Sequence, residues 1–179
     1  MMDKEIIGQI IGIIAATLAV ISFQQKTHKY IVAFQLAANV AFILNFGLIG
    51  NTAGAILNGV ALVRALVFVN KGRKWADNPL WLWFFCGLCI AAGWYTWTDW
   101  RTILPTLGMI CTTVAFWIKT PMYVRMMAFT SSPLWLVYNS ISTPPAIGGI
   151  VTEVVNMISI IIAIMRLDLK KNKVNNIQK

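Results

Sequence analysis

Apolar residues gather along the chain into seven runs, at 6–23, 31–50, 53–70, 80–97, 103–118, 126–141 and 146–165, and polar residues fall mostly in the short joints between them. Runs of this kind suit helices that cross a hydrocarbon layer about 30 Å thick, which takes roughly 20 residues each. Seven such helices would use about 140 residues, leaving only short connections and no room for a soluble domain. The predicted fold is therefore an all-α membrane protein with seven transmembrane helices, whose function must sit among the helices. The run at 103–118 is short, and the run at 126–141 is interrupted by Ser131, Ser132 and Pro133. An independent check on the count is needed, and charge supplies it.

Of the 179 residues 58% are hydrophobic and only 12% charged, against roughly 25% charged in a soluble protein. With a mean hydropathy of +0.70, this excludes a compact aqueous enzyme. The net charge of +9 is not a nucleic-acid footprint, because the basic residues punctuate apolar runs instead of clustering on one face. Lys26, Lys29, Lys71, Arg73, Lys74, Lys119, Arg125, Arg166, Lys170, Lys171, Lys173 and Lys179 fall in alternate connections, while the opposite set holds only Lys4 and Arg101. By the positive-inside rule the N-terminus is expected outside and the C-terminus in the cytoplasm, which requires an odd number of spans. The first run lacks a basic leader and a small-residue cleavage pattern, so it reads as a retained span. The basic tail at 167–179 reads as a solvated cytoplasmic end.

The last third of the chain repeats the first. Gly12 aligns with Gly108, Thr17 with Thr113, Ala19 with Ala115, Lys26-Thr27 with Lys119-Thr120 and Tyr30 with Tyr123; further on, Asn45 aligns with Asn139 and Gly54 with Gly148. A three-span unit ends on the opposite side from its start, and one intervening helix restores the orientation of the second copy. The expectation is thus a 3+1+3 arrangement of two parallel triple-helix bundles, 6–70 and 103–166, joined by a linker helix at 80–97 and related by an axis along the membrane normal. The linker carries Trp81, Trp83, Phe84, Phe85, Trp94, Tyr95 and Trp97, which suits an anchor with aromatic residues at both interfaces.

The segment FILNFGLIGNTAGAILNGVALVRALVF, within 41–69, and LWLVYNSIS, from Leu134 to Ser142, resemble helices of the SWEET, SemiSWEET and PQ-loop facilitators. More closely, AGAILNGVALVR and AIGGIVTEVVN resemble the YgjV family of bacterial inner-membrane proteins over essentially the whole chain. The YgjV resemblance implies location and fold. The SWEET-like one implies alternating access, with an Asn on the third helix of each bundle and an aromatic residue on the second lining a central cavity. Asn58 and Trp135 match those positions; in the second copy Thr152 or Glu153 stands near the expected Asn, with Asn156 a turn further on. Gln24-Gln25 lacks the preceding proline of the PQ signature, and Pro105 and Pro133 fall in the second bundle only.

Two charged groups lie well inside spans, Arg64 and Glu153. Charges in hydrocarbon are costly and normally face a cavity or a partner. The sequence leaves open whether Glu153 pairs with Arg64 as a gate or clamp or stands alone as a proton carrier, and whether Arg64 instead snorkels to the interface. Gln35, Asn39, Asn45, Asn58, Asn139 and Asn156 complete the candidate lining, their alternative role being hydrogen bonds between helices. Gln35 and Asn39 share a helix face, as do Ser132, Trp135 and Asn139. Gly8-x-x-x-Gly12 and Gly50-x-x-x-Gly54 read as close-packing motifs, and Cys86-Gly-Leu-Cys89 as small-residue packing. The lone His28 has no metal-ligand company; no cofactor, metal or nucleic acid is implied.

These features point to a transporter or facilitator of a small polar solute, with Asn58, Trp135, Asn139, Glu153, Asn156, Gln35, Asn39 and Asn45 at the site and Arg64 with Glu153 as the ion pair or gate. The alternative is a membrane interaction protein that binds a lipid or ligand on the same fold without transporting it. An enzyme is not expected, because a single carboxylate makes a poor acid–base set. The lipid bilayer and the solute are the expected partners, together with self-association into a homo-oligomer.

Overall fold

A computed structural model describes residues 2–50, 52–97, 99–141 and 147–169. Backbone polar groups find no water in hydrocarbon, so a spanning chain must satisfy them internally, and a helix does so locally. The described residues form seven α-helices: α1 (Met2–Phe23), α2 (His28–Leu48), α3 (Thr52–Val69), α4 (Leu80–Tyr95), α5 (Ile103–Trp117), α6 (Pro121–Ile141) and α7 (Ile147–Ala163). A 3₁₀ turn, Trp100–Thr102, precedes α5, and a π-helical turn, Ile164–Leu169, continues α7. Three segments are long and apolar enough to cross a membrane: Ile6–Phe23, His28–Leu48 and Gly149–Leu169. The α3 and α4 helices are apolar but shorter, and α6 has the length while Ser131, Ser132, Pro133 and Asn139 dilute its apolar character.

The helix ends follow local chemistry. Gly50, at φ +77°, takes the left-handed conformation just beyond α2, where a side chain would be strained. The backbone around it is open, so Gly50 is a turn glycine and not the packing glycine that its spacing to Gly54 suggested. Asp99 caps the 3₁₀ turn by accepting from the Arg101 backbone N–H at 2.8 Å, and the Arg101 side chain returns to Asp99 at 2.7 Å while also donating to the carbonyl of Ile141. The Arg101 guanidinium holds the Asp99 carboxyl below the usual carboxylate range. Pro121 opens α6, a position where its missing N–H is not needed. Pro133 does not end that helix: α6 runs through it. Pro105 sits in the first turn of α5, where a proline makes no hinge.

The chain divides into two compact units. The first holds Met1–Gln25 and Lys29–Trp81, the second Lys26–His28 and the chain from Leu82 onward. In the first unit α1 turns a face of small residues inward, with Ala15, Ala19 and Ser22 buried, and leaves Ile6, Ile7, Ile10, Ile13 and Ile14 exposed, as a lipid-facing surface would be. A Cβ built on Gly12 would lie 2.8 Å from the Asn45 Nδ2, and one on Gly8 would lie 2.8 Å from the Ile49 side chain. Asn45 of α2 uses this closeness to donate to the Gly8 carbonyl at 2.6 Å, and Gln35 donates to the Ser22 hydroxyl at 2.7 Å. In lipid no hydrophobic force draws helices together, so close backbone approach and such bonds carry the association.

In the second unit α4 packs on α5, with Gly93 against the Thr106 side chain and Cys89 Sγ 3.7 Å from Thr113 Oγ1. Cys86, Cys89 and Cys111 are free thiols. The α6 helix packs against both α5 and α7. Toward α5, Ser131 donates to the Gly108 carbonyl at 2.9 Å and the Trp135 indole lies over Gly108. The aligned residues Asn45 and Asn139 are therefore used differently: Asn45 packs on the first helix of its unit, whereas Asn139 packs on Gly149 of α7. The connection at 142–146 and the tail from 170 on lie outside the described residues, as do the surroundings of Gly54 and Gly148 in the repeat.

Replacing Gly12 by Leu forces Asn45 out of its contact, and overpacking of this kind costs about 1–3 kcal/mol. Thermal melting of the purified protein in detergent should show Gly12→Leu clearly less stable, and Gly47→Ala, at an open helical position, no less stable than the parent.

Candidate functional site

A polar cluster centred on a charged residue inside an apolar helix is built where α6 faces α7. Glu153 and Asn156 stand three residues apart on α7 and so share a face. The Glu153 carboxyl accepts hydrogen bonds from the Ser132 hydroxyl of α6 and from the Asn156 side-chain amide. Asn139, seven residues and about two turns along α6 from Ser132, presents its amide to Gly149, within 2.5 Å of where a Cβ would stand. Gly149 in turn lies one turn before Glu153, so α6 and α7 run antiparallel with one polar stripe between them. The second carbonyl-type oxygen of the cluster, Asn156 Oδ1, is buried and has no hydrogen-bond partner.

The remaining sequence-predicted residues separate into groups. Trp135 does not share the Ser132–Asn139 stripe: its indole Nε1 edge is turned onto α5, where the absent side chain of Gly108 leaves room for it, and it meets Tyr138 edge-on at 6.2 Å. Gln35 and Asn45 spend their amide N–H groups on α1, the interhelical role weighed against lining. Asn39 is buried on α2, and Asn58 is half-buried on α3, six residues before Arg64. Arg64 is 8% exposed, so its side chain is covered and does not reach out into solvent. Arg64 belongs to the first unit and Glu153 to the second.

One ion pair escaped the sequence reading. Arg125, placed there among the connection charges, lies in the second turn of α6 and is fully buried. Its Nη1 donates to both carboxylate oxygens of Asp168 at 2.8 Å, and the Asp168 side chain is only 12% exposed. The π-helical turn carries Asp168 and packs on α6. Turns of this type are rare and commonly serve a local functional or packing need; here the turn supplies the partner for a buried guanidinium. A signal existed: Asp168 is an acidic residue amid Arg166, Lys170 and Lys171, where a purely topological tail has no use for it.

One protein family matches over residues 6–171, described as Imp-YgjV, bacterial inner membrane protein. The chain belongs to the Imp-YgjV family. Its place is accordingly the bacterial inner membrane, in keeping with its three long apolar segments. No curated protein and no solved structure matches it. The match covers both of this Imp-YgjV chain's polar features, the Ser132–Glu153–Asn156 cluster and the Arg125–Asp168 pair.

Removing one partner of a buried ion pair leaves a desolvated charge and costs about 3–5 kcal/mol, whereas replacing both with apolar groups can be nearly neutral. Arg125→Leu and Asp168→Leu should each lower the melting temperature strongly, and the double variant should recover most of the loss. A double variant as unstable as the two losses added together would show that the pair is not a coupled unit.

Proposed function

We propose that this Imp-YgjV protein is a transporter or facilitator of a small polar solute in the inner membrane. The observation that carries the reading is the Glu153 carboxyl held by Ser132 and Asn156 inside an apolar helix pair. A carboxylate in such a place has a large desolvation cost, and a merely structural helix pair could be built without one. The solute is taken up in a site that includes Ser132, Asn139, Glu153 and Asn156. Access alternates between the two faces of the membrane at the interface of two triple-helix bundles, 6–70 and 103–166, in the manner of the SWEET-like facilitators that parts of the sequence resemble. Seven spans, with the N-terminus outside and the C-terminus in the cytoplasm, accord with the distribution of lysine and arginine. Copies of the chain self-associate.

The test is uptake into proteoliposomes of labelled sugars, amino acids, amines and organic acids, each against protein-free vesicles. At least one class should enter, and Glu153→Gln should cut its uptake on the order of tenfold or more, the loss expected for a hydrogen bond to a charged group, with membrane insertion and gel-filtration elution unchanged. Undiminished uptake by that variant would remove Glu153 from the site. Absence of uptake for every class would favour the non-transporting, ligand-binding reading.

A further inference from the structure

We propose that the Ser132–Glu153–Asn156 cluster binds a protonated amine, the primary ammonium group of a small solute, between α6 and α7. This rests on the transporter reading and names its substrate class.

The first argument is a count of donors and acceptors. An ionised carboxylate only accepts hydrogen bonds and offers about four lone-pair positions. Ser132 spends its one hydroxyl proton on Glu153, and Asn156 spends an amide N–H there. What the cluster still offers is mostly acceptors: the remaining carboxylate lone pairs, those of the Ser132 oxygen, and Asn156 Oδ1, which is buried without any donor. A buried acceptor left without a donor is costly, so the site is completed by a ligand that brings several N–H or O–H donors. A carboxylate or phosphate group adds acceptors and like charge and is repelled.

Charge narrows the choice. No lysine or arginine occurs in α4, α5 or α7, and the one arginine of α6, Arg125, lies seven residues, about two turns, from Ser132 and is held by Asp168. Among the described residues of α4, α5, α6 and α7, the Glu153 carboxylate therefore has hydrogen bonds but no cation of its own. A neutral polyol would satisfy the acceptors and leave the charge uncompensated in a poorly solvating medium. A primary ammonium group supplies three donors and a positive charge together.

The probes are ethanolammonium, ethylene glycol and glycolate, which share size and differ in charge, with sodium chloride as a further arm. Each is titrated calorimetrically into the purified full chain near neutral pH at constant ionic strength. Ethanolammonium should bind, and Glu153→Gln and Asn156→Leu should each weaken it by about tenfold or more, while Glu153→Asp, which keeps the charge, retains a substantial part. Unliganded melting of every variant separates loss of binding from loss of fold, and Glu153→Asp keeps the test open if Glu153→Gln does not fold. Glu153-dependent binding of ethylene glycol in preference to ethanolammonium would overturn the amine class and leave the transporter reading standing. Sodium reproducing the ethanolammonium effect would overturn it in favour of a metal cation. No binding by any probe would overturn it as well, and the uptake panel, which includes neutral and acidic solutes, then decides the transporter reading separately.

Discussion

Glu153 sets the terms for the second unit. A carboxylate within an apolar helix must be hydrogen-bonded or matched by charge, because hydrocarbon offers neither. The antiparallel seating of α6 on α7 meets the first need: Gly149 lets the Asn139 amide come close, which fixes the register of the two helices and brings Ser132 to the carboxyl one turn further on. Asn156 completes the shell from the same face of α7. The second need, a cation, is not met by any residue of α4, α5 or α7. That imbalance separates this cluster from the polar contacts of the first unit, where Asn45 and Gln35 each join neutral groups across α1 and α2.

The same physics explains why glycine and small residues recur wherever helices touch. Helices in lipid gain nothing from hiding apolar surface from one another, so they associate through close packing and polar bonds. Gly8 and Gly12 admit Asn45 and Ile49, Gly93 admits Thr106, and Gly108 admits Trp135. Away from these seams the isoleucines of α1 and the Trp83, Phe84 and Trp94 side chains of α4 stay exposed, as lipid-facing surface is. At the far end of α6, the Arg125–Asp168 pair closes the helix ends with a buried charge pair, so that the polar stripe between α6 and α7 begins well inside the helices.

Much of the architecture was legible because hydropathy and charge are one-dimensional signals. The seven apolar runs correspond to seven helices, and the interruption at Ser131–Pro133 lies inside α6 because a neighbouring helix takes up the polar groups, Ser131 bonding the Gly108 carbonyl. Glu153, Asn156 and Asn139 stood out as polar residues in apolar surroundings. What the sequence concealed was direction. Ser132, Trp135 and Asn139 fall at helical spacing, yet only the first and last turn to α7, since Gly108 draws the indole to α5. Gly50 has the spacing of a packing glycine but serves as a turn at positive φ. Arg125 read as a surface charge because its partner lies 43 residues away, beyond any local pattern.

The central claim, that the stripe around Glu153 lies on a path open in turn to each side of the membrane, is tested most directly by labelling Ser132→Cys in a chain whose three native cysteines are replaced. Right-side-out and inside-out vesicles are treated with a membrane-impermeant thiol reagent. The account predicts modification from both sides, slowed by a bound solute. Modification from neither side would contradict it and would make the cluster a closed structural contact.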